Sequence, residues 1–134
     1  MKYLILILTT LCFASCGGRS YSYLADPIFS AYGKEMKKKR GYWVQGTGGS
    51  MPNRDVRSLF MSFEGVREVD IPEARRLYIE LVEGLLKRVN SDETIRPYLH
   101  DYPATSKNMD LFLGFVDRHN NVTAENYISF VCCV

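Results

Sequence analysis

The strongest periodicity along the chain lies in residues 72–89, where Ala74, Leu77, Tyr78, Leu81, Val82, Leu85 and Val89 recur at steps of three and four, with Ile71 in phase just before them. That spacing puts them on one stripe of an α-helix and leaves Arg75, Arg76, Glu80, Glu83, Lys87 and Arg88 on the other side. Asp70 and Glu73 stand at capping-box spacing, and Pro72 falls in the first turn, where a missing N–H costs least. The charged flank marks a surface helix packed on a core, not a membrane span. Asn90 reads as a left-handed cap after it, and Ser91 as the start of a short helical turn ending before Pro97. A weaker helix is predicted from Asp26-Pro27, with Ile28, Ala31, Tyr32 and Met36 on one face, an interruption at Gly33 and a stop at Gly41.

Alternating and β-rich stretches fill the remainder. Tyr42-Trp43-Val44-Gln45 predicts a strand, Gly46-Thr47-Gly48-Gly49-Ser50 a flexible turn, and Leu59-Phe60-Met61-Ser62-Phe63 a second strand. The two would form a hairpin with a broad loop, and Gly65 would mark a bulge or the strand's end. Residues 109–116 and 127–134 predict two more strands, with His119-Asn120-Asn121 as the turn between them. The order helix, strand, strand, helix, strand, strand implies an α+β fold in two layers. The expectation is a four-stranded, mainly antiparallel sheet with two helices on one face.

The first sixteen residues form a different pattern: Lys2, an uncharged and largely apolar stretch over residues 3–14, small Ser15, then Cys16. A positive end, an apolar core and small residues before a cut site are what an export signal needs, and the run is too short for a spanning helix of roughly twenty residues. Phe13-Ala14-Ser15-Cys16 resembles the lipobox of bacterial lipoproteins, with Phe13 in place of the usual Leu. The resemblance implies a signal peptide over residues 1–15 and an acylated Cys16, followed by a tether over 16–25; the pattern of elements then gives a single α+β domain over 26–134. Cys12 fits lipidation less well, because bulky Leu11 precedes it. Ordinary secretory cleavage, for instance after Ala14, stays open. Gly17 rather than Asp after the cysteine resembles lipoproteins sent to the outer membrane, and a bilayer is then the first partner of the chain.

Removing the first 15 of 134 residues leaves 119, the size of one domain. With Lys2 gone, 16 basic face 15 acidic side chains, a balance that argues against a bulk nucleic-acid binder. Four cysteines, two of them at Cys12 and Cys16, exclude a disulfide-stapled scaffold. Cys132 and Cys133 are adjacent on a strand and point to opposite faces, so they read as small apolar side chains rather than a redox pair. The compact basic run Lys37-Lys38-Lys39-Arg40 suits a helix C-terminus, with contact to anionic lipid as an auxiliary reading.

A second resemblance rests on Gly48-Gly49-Ser50-Met51, Ile71-Pro72-Glu73-Ala74-Arg75-Arg76-Leu77 and the stretch from Ile95-Arg96-Pro97 to Tyr102-Pro103. These segments look like small proteins of chlamydia-like bacteria. The resemblance implies an envelope setting and carries no functional residue across.

Candidate chemistry is sparse. The glycine-rich stretch at 46–50 lacks the Gly-Lys-Ser/Thr ending of a phosphate loop. Both histidines neighbour a carboxylate, in His100-Asp101 and Asp117-Arg118-His119, but no metal-ligand spacing is present and no metal or cofactor is expected. If a hydrolytic centre exists, His100, Asp101 and Tyr102 are the residues to carry it. Two function classes follow: a non-enzymatic envelope lipoprotein that contacts a protein or the cell-wall layer, and a small periplasmic or surface hydrolase. The first expects an apolar patch on an exposed sheet face or edge; the second expects His100 and Asp101 to converge in a cleft with another polar group.

Overall fold

A computed structural model of the chain describes residues 22–119, 121 and 127–132. The cysteines Cys12, Cys16 and Cys133, and the expected signal peptide and lipobox-like segment with them, lie outside the described residues.

After a 3-10 turn at Ser22–Leu24, helix α1 runs over Asp26–Arg40 and strand β1 over Trp43–Ser50. Strand β2 (Ser58–Val66), helix α2 (Ile71–Ser91), strand β3 (Met109–Val116) and strand β4 (Phe130–Cys132) complete the order. The sheet order is β1-β2-β3-β4, antiparallel at both outer pairings and parallel between β2 and β3. The α+β class and mostly antiparallel sheet match the sequence expectation, and the parallel central pair follows from the length of α2. Its 21 residues span about 31 Å, as far as the nine residues of β2 do at about 3.3 Å each, so the chain returns to the starting end of β2 before β3 begins.

Local chemistry explains the element ends. The Asp70 carboxylate accepts from the Glu73 amide at 2.9 Å, the cap that the sequence predicts for α2. Gly41 closes α1 in the left-handed conformation, with φ +72° and its amide donating to the Lys37 carbonyl at 3.1 Å. Ala25, not Asp26, holds the cap position of α1, and no side chain caps it. Asn90 is not a left-handed cap: α2 continues through Ser91, and the Asn90 side-chain amide brackets Ala104, donating to its carbonyl at 3.0 Å and accepting from its N–H at 2.8 Å.

Both helices cover the same sheet face. Leu59, Met61 and Phe63 of β2 and Met109, Leu111, Leu113 and Phe115 of β3 alternate inward and are buried beneath Ile28, Phe29, Tyr32 and Met36 of α1 and Leu77, Leu81, Leu85 and Val89 of α2. Tyr32 ties the layers: its ring stands edge-on to Phe63 with centroids 6.0 Å apart, and its hydroxyl donates to the Leu81 carbonyl at 2.7 Å. Gly33, read from sequence as a weak point, is a contact point, since a methyl there would lie 2.7 Å from Val44 Cγ2. Gly84 lets Tyr32 cross α2 in the same way, since a methyl would sit 2.5 Å from the Tyr32 hydroxyl.

Candidate functional site

The sequence places His100, Asp101 and Tyr102 side by side; the structure sends their side chains to three separate partners. Backbone pairing of 56 with 98–100 aligns the two segments, with Val56 N–H donating to the Tyr98 carbonyl at 2.7 Å and His100 N–H to the Val56 carbonyl at 2.9 Å. That register brings His100 Nδ1 within 2.9 and 3.0 Å of the Asp55 carboxylate oxygens. Arg57 Nε also donates to Asp55 at 2.8 Å, and this bond, with His100 second, holds the Asp55 carboxyl below the usual carboxylate range. Asp101 instead accepts from the Asn108 side-chain amide at 3.1 Å. Tyr102 is exposed, with the Arg96 guanidinium 5.2 Å from its ring centroid.

The resulting Asp55–His100 pair has the distance of an acid/base dyad but not its setting. More than half of the His100 side chain is exposed, and the nearby crevice bordered by Asp101 and Asn108 is too narrow to admit a water molecule. A general base needs a reacting atom held within reach, which an open surface does not provide. His119 lies in a different place, beside a cleft of about 470 Å³ at the ends of β2 and β3. There the Asp117 carboxylate accepts from the amides of His119 and Asn121, at 2.7 and 2.9 Å, and Arg67 is paired with Glu73. Asp117 is held low in its titration by those backbone amides, as a turn-forming carboxylate is. Among the described residues, no three metal-donor side chains gather.

The most distinctive surface is the sheet face that the helices leave uncovered. Strand register lays it out in rows: Gly48, Phe60 and Asp110; Gly46, Ser62, Phe112 and Cys132; Trp43, Glu64, Gly114 and Phe130. The Phe112 and Phe130 rings stack with centroids 5.1 Å apart and planes 17° off parallel. Phe60 lies alongside Gly46 and Gly48, where methyl groups would sit 3.7 and 3.9 Å from its ring. Phe130 is 55% exposed and Phe60 36%. The Gln45 side-chain amide, carried by the β1 bulge, donates to Glu64 at 2.7 Å. Asp110 is exposed.

The polar groups of this face are of one kind. The described strands carry two acidic residues, Glu64 and Asp110, and no lysine or arginine. Sequence reasoning expected an apolar patch on a sheet face but assigned residues 46–50 to a turn, which hid half of its floor. Those residues are the body of β1, paired with β2 from Gly46–Ser62 to Ser50–Ser58. A smaller apolar groove of about 420 Å³ runs beside α2, lined by Tyr78, Ile79, Val82, Leu86 and Met109. Cys132, on the aromatic face, is a free thiol and half-buried.

Among the described residues no helix is long and apolar enough to cross a membrane. Comparison with protein-family models, with curated proteins and with solved structures finds no match to the chain.

Proposed function

We propose that this chain is a small, non-enzymatic lipoprotein of the bacterial cell envelope, held on the bilayer through acylated Cys16 and binding a protein partner on the uncovered face of its sheet. The observation that carries the binding half is the aromatic surface of Trp43, Phe60, Phe112 and Phe130, an arrangement that costs a soluble domain solubility unless something covers it. The anchoring half is carried by the order of Lys2, the apolar run, Ser15 and Cys16. Gly17 after the cysteine favours the outer membrane over the inner.

The chemistry of the face selects the partner class. Aromatic rings flanked by Glu64 and Asp110 suit a segment presenting apolar side chains with lysine or arginine among them, through ring contact, cation–π attraction and carboxylate pairing. The same absence of basic residues makes the face a poor surface for nucleic acid. The hydrolase reading draws no support from the geometry, because His100, Asp101 and Tyr102 serve three separate contacts on an open surface.

The binding half is tested by placing a photo-crosslinking phenylalanine analogue at Phe112, or at exposed Ile79 on α2, in full-length protein expressed in cells. A discrete protein adduct from position 112 and none from position 79 supports the proposal. Equal adducts from both positions, or none from 112, contradict it.

A further inference from the structure

Charge in this molecule is sorted by layer. Among the described residues, the strands hold two acidic side chains and no basic one, while α1 and α2 together hold nine basic against five acidic. The near-neutral total conceals this, since the strands offset part of the excess on the helices.

The excess on the helix layer is concentrated on one arc of α1. Pro27, Ser30, Ala31, Lys34, Lys37 and Lys38 are all exposed and, at about 100° per residue, share roughly a third of the helix circumference. No acidic residue falls within that arc; exposed Asp26 borders it about 20° beyond Lys37, and Asp92, with Arg88, shares a recess with Pro27 and Ala31. Glu35 lies to one side, where it pairs with Lys39 at 2.6 Å and with Arg88. Arg40 likewise pairs with Glu80. Lys39 and Arg40 are therefore partly neutralised, whereas Lys34, Lys37 and Lys38 have no ion-pair partner among the described residues.

We infer that this arc of α1 lies on the anionic headgroups of the bilayer and so fixes the orientation of the domain. Three features converge. Small residues at Ser30 and Ala31 leave the lysines as the highest points of the arc, so that they reach a flat surface together. Their charge complements phosphate headgroups, and Lys side chains near an anionic leaflet are each attracted to it. Finally, the six residues from Cys16 through Tyr21 extend no more than about 20 Å, which keeps the start of α1 close to an anchored cysteine. With α1 down, the aromatic face, on the opposite side of the sheet, points away from the bilayer and stays open to a partner. The seating rests on the lipoprotein reading for its tether alone.

The test uses the full-length protein purified from membranes and added to vesicles of phosphatidylcholine, or of phosphatidylcholine with phosphatidylglycerol. Lysine acylation by a water-soluble reagent is followed by mass spectrometry, with Lys107 as the internal reference. The expected result is acylation of Lys34, Lys37 and Lys38 slowed by roughly fivefold or more relative to Lys107 on anionic vesicles only, and restored in high salt. Equal relative rates on both vesicles overturn the seating, as does equal protection by soluble polyphosphate without vesicles. Flotation separates the two readings: protein that floats with both vesicle types while its lysines label equally retains the anchor and loses the seating. Protein that floats only with anionic vesicles, with the three lysines protected, keeps the seating and loses the anchor. Flotation with neither overturns both.

Discussion

The two faces of the sheet use the same strands for opposite purposes. On the inner face, Met61, Phe63 and Leu113 are fully buried and each fills space defined by a helix. On the outer face, Phe112 and Phe130 are of the same chemical kind but stack on one another, and Phe60 lies alongside Gly46 and Gly48, with no helix over them. Burial converts an aromatic ring into stability at about 25 cal/mol per Å² removed from water, so the inner rings hold the fold, while Phe130 keeps about half of its surface in water and Phe60 about a third. Hydrophobicity by itself thus does not tell core from outer surface here; the presence of a covering helix does.

Truncation should separate the faces most sharply. Phe63→Ala is expected to cost about 3–5 kcal/mol in denaturant unfolding, because it leaves a cavity beneath Tyr32, whereas Phe130→Ala should cost about 1 kcal/mol, the worth of one ring stack. Similar costs for both would erase the distinction. Close approach of the layers is the next largest effect. Gly84→Ala should destabilise by about 1–3 kcal/mol, since its methyl would displace the Tyr32 hydroxyl from the Leu81 carbonyl, and a shift in midpoint with unchanged denaturant slope would show it.

Smaller effects sharpen the inner face further. Asp70→Ala should cost about 1 kcal/mol by freeing the Glu73 amide, visible as a lower thermal midpoint. Tyr42→Phe should have the opposite sign, raising stability by up to about 1 kcal/mol, because the buried Tyr42 hydroxyl has no hydrogen-bond partner among the described residues. Its phenol is raised above the ordinary tyrosine range by that burial. The smallest change is expected at Asp55. Its carboxyl is held low by Arg57 and then His100, so the folded state binds its proton less readily than the unfolded chain does. The stability it contributes is therefore present above about pH 4 and is lost as the pH falls through its folded-state value. Because Asp55 is open to solvent, the difference between wild type and Asp55→Asn in an acid titration should be barely measurable.

What the sequence made legible was set by how local the governing physics is. Helix α2 was readable because its stripe, its Asp70 cap and its charged flank agree within one segment. The class and the one-sided helix layer followed from the element order. Gly46, Gly48 and Gly49 were read as a turn because glycine is depleted in strands, yet here they pair as β1 while Phe60 of the next strand supplies the apolar surface they lack. The parallel pairing of β2 with β3 depended on matching the length of α2 to that of a strand, which periodicity does not express. For the candidate site, adjacency misled: His100 and Asp101 are neighbours in sequence, but the carboxylate that meets His100 is 45 residues away at Asp55. The residues of the outer aromatic face were not singled out, since which side of each strand faces water is decided by where the helices pack.

Whether a lipid on Cys16 sets where this domain works, as proposed, is read out by growing cells with an alkyne fatty acid and comparing wild-type protein with Cys16→Ser. Label on the wild type that withstands denaturing extraction, and its loss in the variant, is the predicted result. A wild-type protein that stays unlabelled, or a variant that labels equally, would contradict it.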